Sequence, residues 1–334
     1  MTTLSPSSRA RRPAGAGRRP RLASGAIALL ALVLLAVPAY AAVAGDAYAL
    51  TLASRILVFA LAAAGLNIAL GHGGMVSMGH AMYMGLGAYA VVLMQGFGIA
   101  SGWLQLLALG AVVAVVALAV GWVALRTRGI AFIMITLAFA QLFFFLFVSL
   151  KAYGGDEGMT LQQPSAFGVL TGHASALYYA LLACVGAVAY GSWRMIGSRF
   201  GLVLRASRIN ERRVQAVGTS VLPYRLTAYV LSALVCALAG FFLVNLTGFV
   251  SPAYLAWTVS GELIVMVVLG GAGTIAGPLV GAAALLLVEE GLKSWTEYWM
   301  MVLGPLIVLM VLALRRGLWG LLASANDTDA EARP

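Results

Sequence analysis

The feature that most constrains this chain is the recurrence of apolar runs long enough to cross a hydrocarbon layer. Ten can be read, at 22–43, 48–70, 80–97, 103–125, 129–150, 174–193, 226–247, 258–270, 274–292 and 298–314. A bilayer core about 30 Å thick is crossed by about 20 helical residues. Composition says the same, because 62% of the 334 residues are hydrophobic, only 10% are charged and mean hydropathy is +0.97. A chain with that surface has lipid as its solvent. The expected fold is all-α, a polytopic membrane protein of about ten transmembrane helices, some of them broken or half helices.

The formal charge of +10 would suit a nucleic-acid binder if its basic residues shared a folded face with polar and aromatic groups. They fall between apolar runs instead, so no nucleic-acid partner is expected. With the amino terminus inside, the cytoplasmic segments collect 18 of the 21 Lys and Arg residues, whereas Lys151 and Lys293 fall outside and Arg55 lies within the second run. Asp46, Asp156, Glu157, Glu289, Glu290 and Glu297 fall on the outer side. That asymmetry is what the positive-inside rule requires, and ten crossings put both termini on the cytoplasmic side. Arg9 to Arg21, the run from Leu22 and Ala42-Val43-Ala44 have the shape of a signal peptide, yet the run continues to Val43 and reads as a retained first helix. The expected organisation is a basic tail over 1–21, a transmembrane domain over 22–316 with a cytoplasmic loop at 194–225, and a second tail over 317–334. Cys184 and Cys236 lie in apolar stretches and read as small buried hydrophobes.

Two glycine-rich breaks interrupt the pattern. One is Gly71-His72-Gly73-Gly74-Met75-Val76-Ser77-Met78-Gly79-His80, and the other runs from Gly270-Gly271 through Gly273 to Gly277-Pro278. Broken helices in transporters line solute cavities, which makes Asn67, Gly73, Gly74, Ser77, Gly79, His80, Gly270, Gly271, Gly273 and Gly277 pathway or gating candidates. Gly273, Gly277 and Gly281 are spaced by four and also read as one packing face of a helix. His72 and His80 read as polar groups that satisfy backbone freed by the break, the other reading being a proton relay. Glu262 is the carboxylate set well inside a run; it could pair with Arg55 or meet a substrate amino group.

The loop at 194–225 contains Arg205 to Gly218, which reads as a short charged helix ended by glycine. Arg208 to Gly218, with Ala228, Ser232, Ala233, Ala239 and Gly240 after it, resembles the cytoplasmic loop and following helix of LivM-type permeases of branched-chain amino acid importers. Gly65-Leu66-Asn67, Ser77-Met78-Gly79-His80 and Gly85-Leu86-Gly87-Ala88-Tyr89 are similar to that family's signature in its first half. Leu269-Gly270-Gly271, Gly273, Gly277-Pro278 and Gly281 make a third match. Val214-Gln215 departs from the small residues usual there, and neither tail is covered.

The resemblance implies an ABC importer in which Arg208, Asn210, Glu211, Ala216 and Gly218 couple the chain to an ATPase. It implies as partners a related LivH-like permease, two cytoplasmic ATPase subunits that bind ATP and Mg, and a periplasmic solute-binding protein, with branched-chain amino acids or a related small polar solute as cargo. The chain has no GxxxxGK[ST] phosphate loop, so no cofactor and no enzymatic activity are expected of it. His72, His80 and His173 do not fall at metal-ligand spacing, which leaves no metal site and argues against an intramembrane enzyme. An ion-coupled carrier working alone is the alternative reading.

Overall fold

The computed structural model describes residues 21–45, 47–167, 174–313 and 317–320. The basic amino-terminal tail, His173, Arg315, Arg316 and most of the carboxyl-terminal tail lie outside the described residues. The helices are α1 (Arg21–Ala44), α2 (Ala47–Asn67), α3 (His80–Gly96), α4 (Gly102–Ala124), α5 (Ile130–Ser149), α6 (Ala174–Ile196), α7 (Arg199–Ile209), α8 (Glu211–Ala216), α9 (Leu222–Thr247), α10 (Trp257–Gly270), α11 (Gly277–Trp295) and α12 (Trp299–Ala313). A π-turn over Ile68–His72 extends α2. Each of the ten apolar runs coincides with a helix. Among the described residues, six segments are long and apolar enough to cross a membrane: Ala47–His72, α4, α5, Ser175–Ile196, α9 and the one that begins at Trp299.

Position in the bundle follows from which faces are apolar and which are small. From Leu57 to Ala63 every side chain of α2 is buried, as expected of a helix that is hydrophobic all round and packed on all sides. α9 lies against α2, α3 and α4. Its approach to α3 depends on missing side chains, since a Cβ at Gly240 would overlap Met84 O and one at Gly87 would overlap Ala237 O. Without a hydrophobic drive between helices in lipid, such close backbone contact is a principal source of packing energy. Gly240→Leu is therefore expected to separate α3 from α9 at a cost of about 2–3 kcal/mol or more, read as a lower melting temperature and a smaller monodisperse fraction after extraction.

The α5–α6 connection is tied down by polar groups. Gln105 Nε2 donates to Ile99 O at 2.8 Å and its Oε1 accepts from Ser165 Oγ at 2.6 Å. Asn245 Oδ1 accepts from Ser165 N at 2.8 Å. Nearby, strands β1 (Met159–Thr160) and β2 (Phe249–Val250) pair antiparallel.

Candidate functional site: the junction of two broken helices and the basic loop

The first break begins in the π-turn, where Gly74 N donates to Leu70 O at 3.1 Å and Met75 N to Ala69 O at 3.0 Å. Gly74 then adopts φ +67°, a conformation that side chains beyond glycine resist. Hydroxyls take up the next N–H groups. Met78 N donates to Thr136 Oγ1 on α5 at 3.2 Å, Gly79 N to Ser77 Oγ at 3.2 Å, and Ala81 N to Ser260 Oγ on α10 at 2.9 Å. This corrects the role expected of the histidines. His80 is fully buried and its Nε2 lies 2.8 Å from Ser232 Oγ, which donates its own proton to Gly65 O at 2.6 Å. His80 Nε2 is therefore the donor of that pair, and the ring sits edge-on to Tyr83 and Tyr229. His72 is also buried, and its Nε2 has no hydrogen-bond partner among the described residues.

The two breaks touch. Asn67, in the last turn of α2, presents both ends of its amide to the second break: Gly273 N donates to Asn67 Oδ1 at 2.8 Å and Asn67 Nδ2 donates to Thr274 O at 2.8 Å. One donor and one acceptor, both backbone, fix which way the amide points. Gly71 lies under this clamp, where a Cβ would overlap Asn67 Oδ1 and stand 2.5 Å from Gly273 N. Gly273 has φ +82° and precedes α11. It is not on one helix face with Gly277 and Gly281, as their spacing suggested, because α11 starts only at Gly277. Those two glycines do pack closely: a Cβ at Gly277 would stand 2.7 Å from Gly271 O, and one at Gly281 2.8 Å from Gly270 N.

The loop is two helices where one was expected over 205–218. Asn210 is extended, at φ −156° and ψ 102°, and its Oδ1 accepts from Arg213 N at 3.1 Å, so it ends α7 and caps α8. Arg208, at the end of α7, sends its guanidinium into the first break and donates to Gly71 O, with its stem against Gly74. Glu211 joins three elements. It accepts from Arg128 in the α4–α5 turn at 3.0 Å, from Arg225 in the first turn of α9 at 3.0 Å, and from Gln215 on α8 at 3.2 Å. Ala216 is exposed, and Gly218 closes the loop at φ +84°. The outer surface of the loop is mixed, with Ile209 84% and Val217 83% exposed beside exposed Arg212 and Arg213.

Glu262 stands apart from this junction, exposed on α10. The pairing considered between it and Arg55 is replaced by another: Arg55 Nη2 lies 3.5 Å from Glu289 Oε1, which also takes Lys293 Nζ at 2.5 Å. Thr136, Ser260, Arg128 and Arg225 all contribute to the junction and were not among the residues singled out as candidates. In the sequence these four carry no signal beyond their residue type.

An apolar helical bundle whose two interrupted helices are clamped break to break, with a basic loop strapped onto the clamp, is the membrane component of a solute transporter. Residues 48–311 match the family model described as branched-chain amino acid transport system / permease component, and the chain belongs to that family. It is 26% identical over 292 residues to the high-affinity branched-chain amino acid transport system permease protein LivM of Salmonella typhimurium, an alignment covering 80% of this chain and 69% of the relative. LivM of Escherichia coli aligns with the same identity and coverage. No solved structure matches the chain.

Proposed function

We propose that the chain forms one half of the translocation pathway of an ATP-driven importer of leucine, isoleucine and valine, crossing a bacterial inner membrane ten times with both termini in the cytoplasm. The names of its relatives support the cargo, and the distribution of arginines supports the orientation. Its partners in this reading are a related permease, two ATPase subunits that hold ATP and Mg, and a periplasmic binding protein that selects the solute.

The observation that carries this reading is the loop itself. Ile209 and Val217 are exposed apolar side chains flanking a basic helix, while Arg208 in the same loop reaches the clamped breaks. A surface with apolar anchors and a rigid connection to the membrane core suits a lever moved by a partner. Burying one such side chain contributes about 1.5–3 kcal/mol. The double variant Ile209→Asp, Val217→Asp is expected to weaken ATPase association at least about tenfold and to stop uptake, while the chain itself still inserts.

The test is ATP-dependent uptake of labelled leucine by proteoliposomes holding both permeases, the ATPases and the binding protein, with unlabelled isoleucine and valine as competitors. Uptake by this chain alone under a proton or sodium gradient would replace the reading with an ion-coupled carrier. ATP-driven uptake that ignores branched-chain competitors would replace the cargo only.

A further inference from the structure

A cavity of about 80 Å³ lies beside the junction, lined by Gly74 of the first break, Arg128 and Gly129 of the α4–α5 turn, Phe132 and Ile133 of α5, and Arg225 of α9. Apart from Thr127, whose hydroxyl donates to Ala124 O at 2.8 Å, the polar side chains of its wall carry positive charge. Arg128 and Arg225 share a single carboxylate, Glu211, which is not part of the lining. Two guanidiniums against one carboxylate leave one net positive charge. The nitrogen Arg225 Nε is buried and has no acceptor among the described residues. The third contribution is α5 itself, a 20-residue helix that begins at Ile130, with Gly129 at its N-cap and no side chain capping it. The first N–H groups of such a helix lack intrahelical acceptors, and their dipoles add about half a positive charge. Donors, excess charge and enclosed space thus meet at one point, at the arginine-rich end of the bundle where an interface with headgroups would lie.

We infer that this cavity binds a phosphate oxyanion, between Arg128, Arg225 and the first turn of α5. Guanidinium donors and a helix N-terminus are the groups that recognise phosphate. The phosphate could be carried by an inner-leaflet lipid headgroup or be free in the cytoplasm; the chemistry at the protein is the same. Because the walls come from the first break, the α4–α5 turn and α9, an occupied cavity ties these three elements together. The site is independent of the solute transported.

The experiment is a melting-temperature titration of the full-length chain in its assembled transporter, in two arms. In detergent stripped of lipid, inorganic phosphate is compared with chloride at equal ionic strength. In vesicles, phosphatidylglycerol is compared with an uncharged glycolipid that lacks phosphate. A saturable rise in the first arm identifies free phosphate as the ligand, and a rise confined to phosphatidylglycerol identifies the lipid headgroup. Arg128→Gln should weaken the response about tenfold. Glu211→Gln removes the competing carboxylate charge and should strengthen it, a change of sign that a purely structural role for these residues does not produce. No phosphate-specific rise in either arm, or a rise that Arg128→Gln leaves intact, overturns the inference.

Discussion

Gly71→Ala is expected to reduce uptake at least about 100-fold. The new Cβ would stand 2.5 Å from Gly273 N and overlap Asn67 Oδ1. Gly273 N belongs to the backbone of the second break and cannot rotate away. Asn67 can rotate, but only by giving up its bonds to Gly273 N and Thr274 O. Overpacking costs about 1–3 kcal/mol, and each polar group left without a partner in the core costs about 1–3 kcal/mol more. Several kcal/mol against the clamped arrangement corresponds to two or more decades in its population. Initial rates in proteoliposomes, normalised to the amount of inserted chain, check the expectation. A wild-type rate would mean that the two breaks work apart.

The second large effect is expected at Arg208, where alanine should lower uptake per ATP hydrolysed at least about tenfold. The side chain is the direct link between α7 and the first break, through its bond to Gly71 O and the packing of its stem on Gly74. A hydrogen bond from a charged donor contributes about 1.5–3 kcal/mol, enough for a decade or more in coupling. Lysine has the charge but not the reach or the planar fork, so Arg208→Lys should restore little. Measuring ATP hydrolysis and leucine uptake on the same vesicles separates this outcome from loss of ATPase docking, which lowers both. An unchanged ratio in Arg208→Ala would remove the lever from the mechanism.

Much of the architecture could be read from the sequence because lipid imposes a length on every crossing. The run at 258–270 is shorter than the about 20 residues a crossing takes, and it is the 14-residue α10. The extra helix boundary inside the loop was also legible in principle. Asn210 followed by Glu211 is a capping pattern, yet charge spacing drew 205–218 as one helix. The contacts of Arg208 were not legible, since its partner is 137 residues away and the same arginine serves equally well as a topology anchor. For the same reason the two glycine breaks are visible in the sequence, but not the Asn67 amide that joins them. Histidines in a polar break invited a role in satisfying the backbone, but that work falls to Ser77, Thr136 and Ser260, hydroxyls whose significance depends on distant helices meeting there.

The π-turn at Ile68–His72 has a consequence for how this chain tolerates length changes. A π-turn holds one residue more than an α-turn over the same rise, so α2 carries one residue of slack immediately before the break. Deleting a residue from 68–70 lets the segment relax to ordinary α geometry with everything after it in nearly the same phase, whereas a deletion in the regular helix before it rotates everything downstream by about 100°. A deletion within Leu57–Ala63 would swing Gly71 O out of reach of Arg208, while one at the π-turn would leave that contact in place. The surplus residue acts as a local reserve of length, so the break tolerates at the π-turn a one-residue loss that the regular helix before it does not.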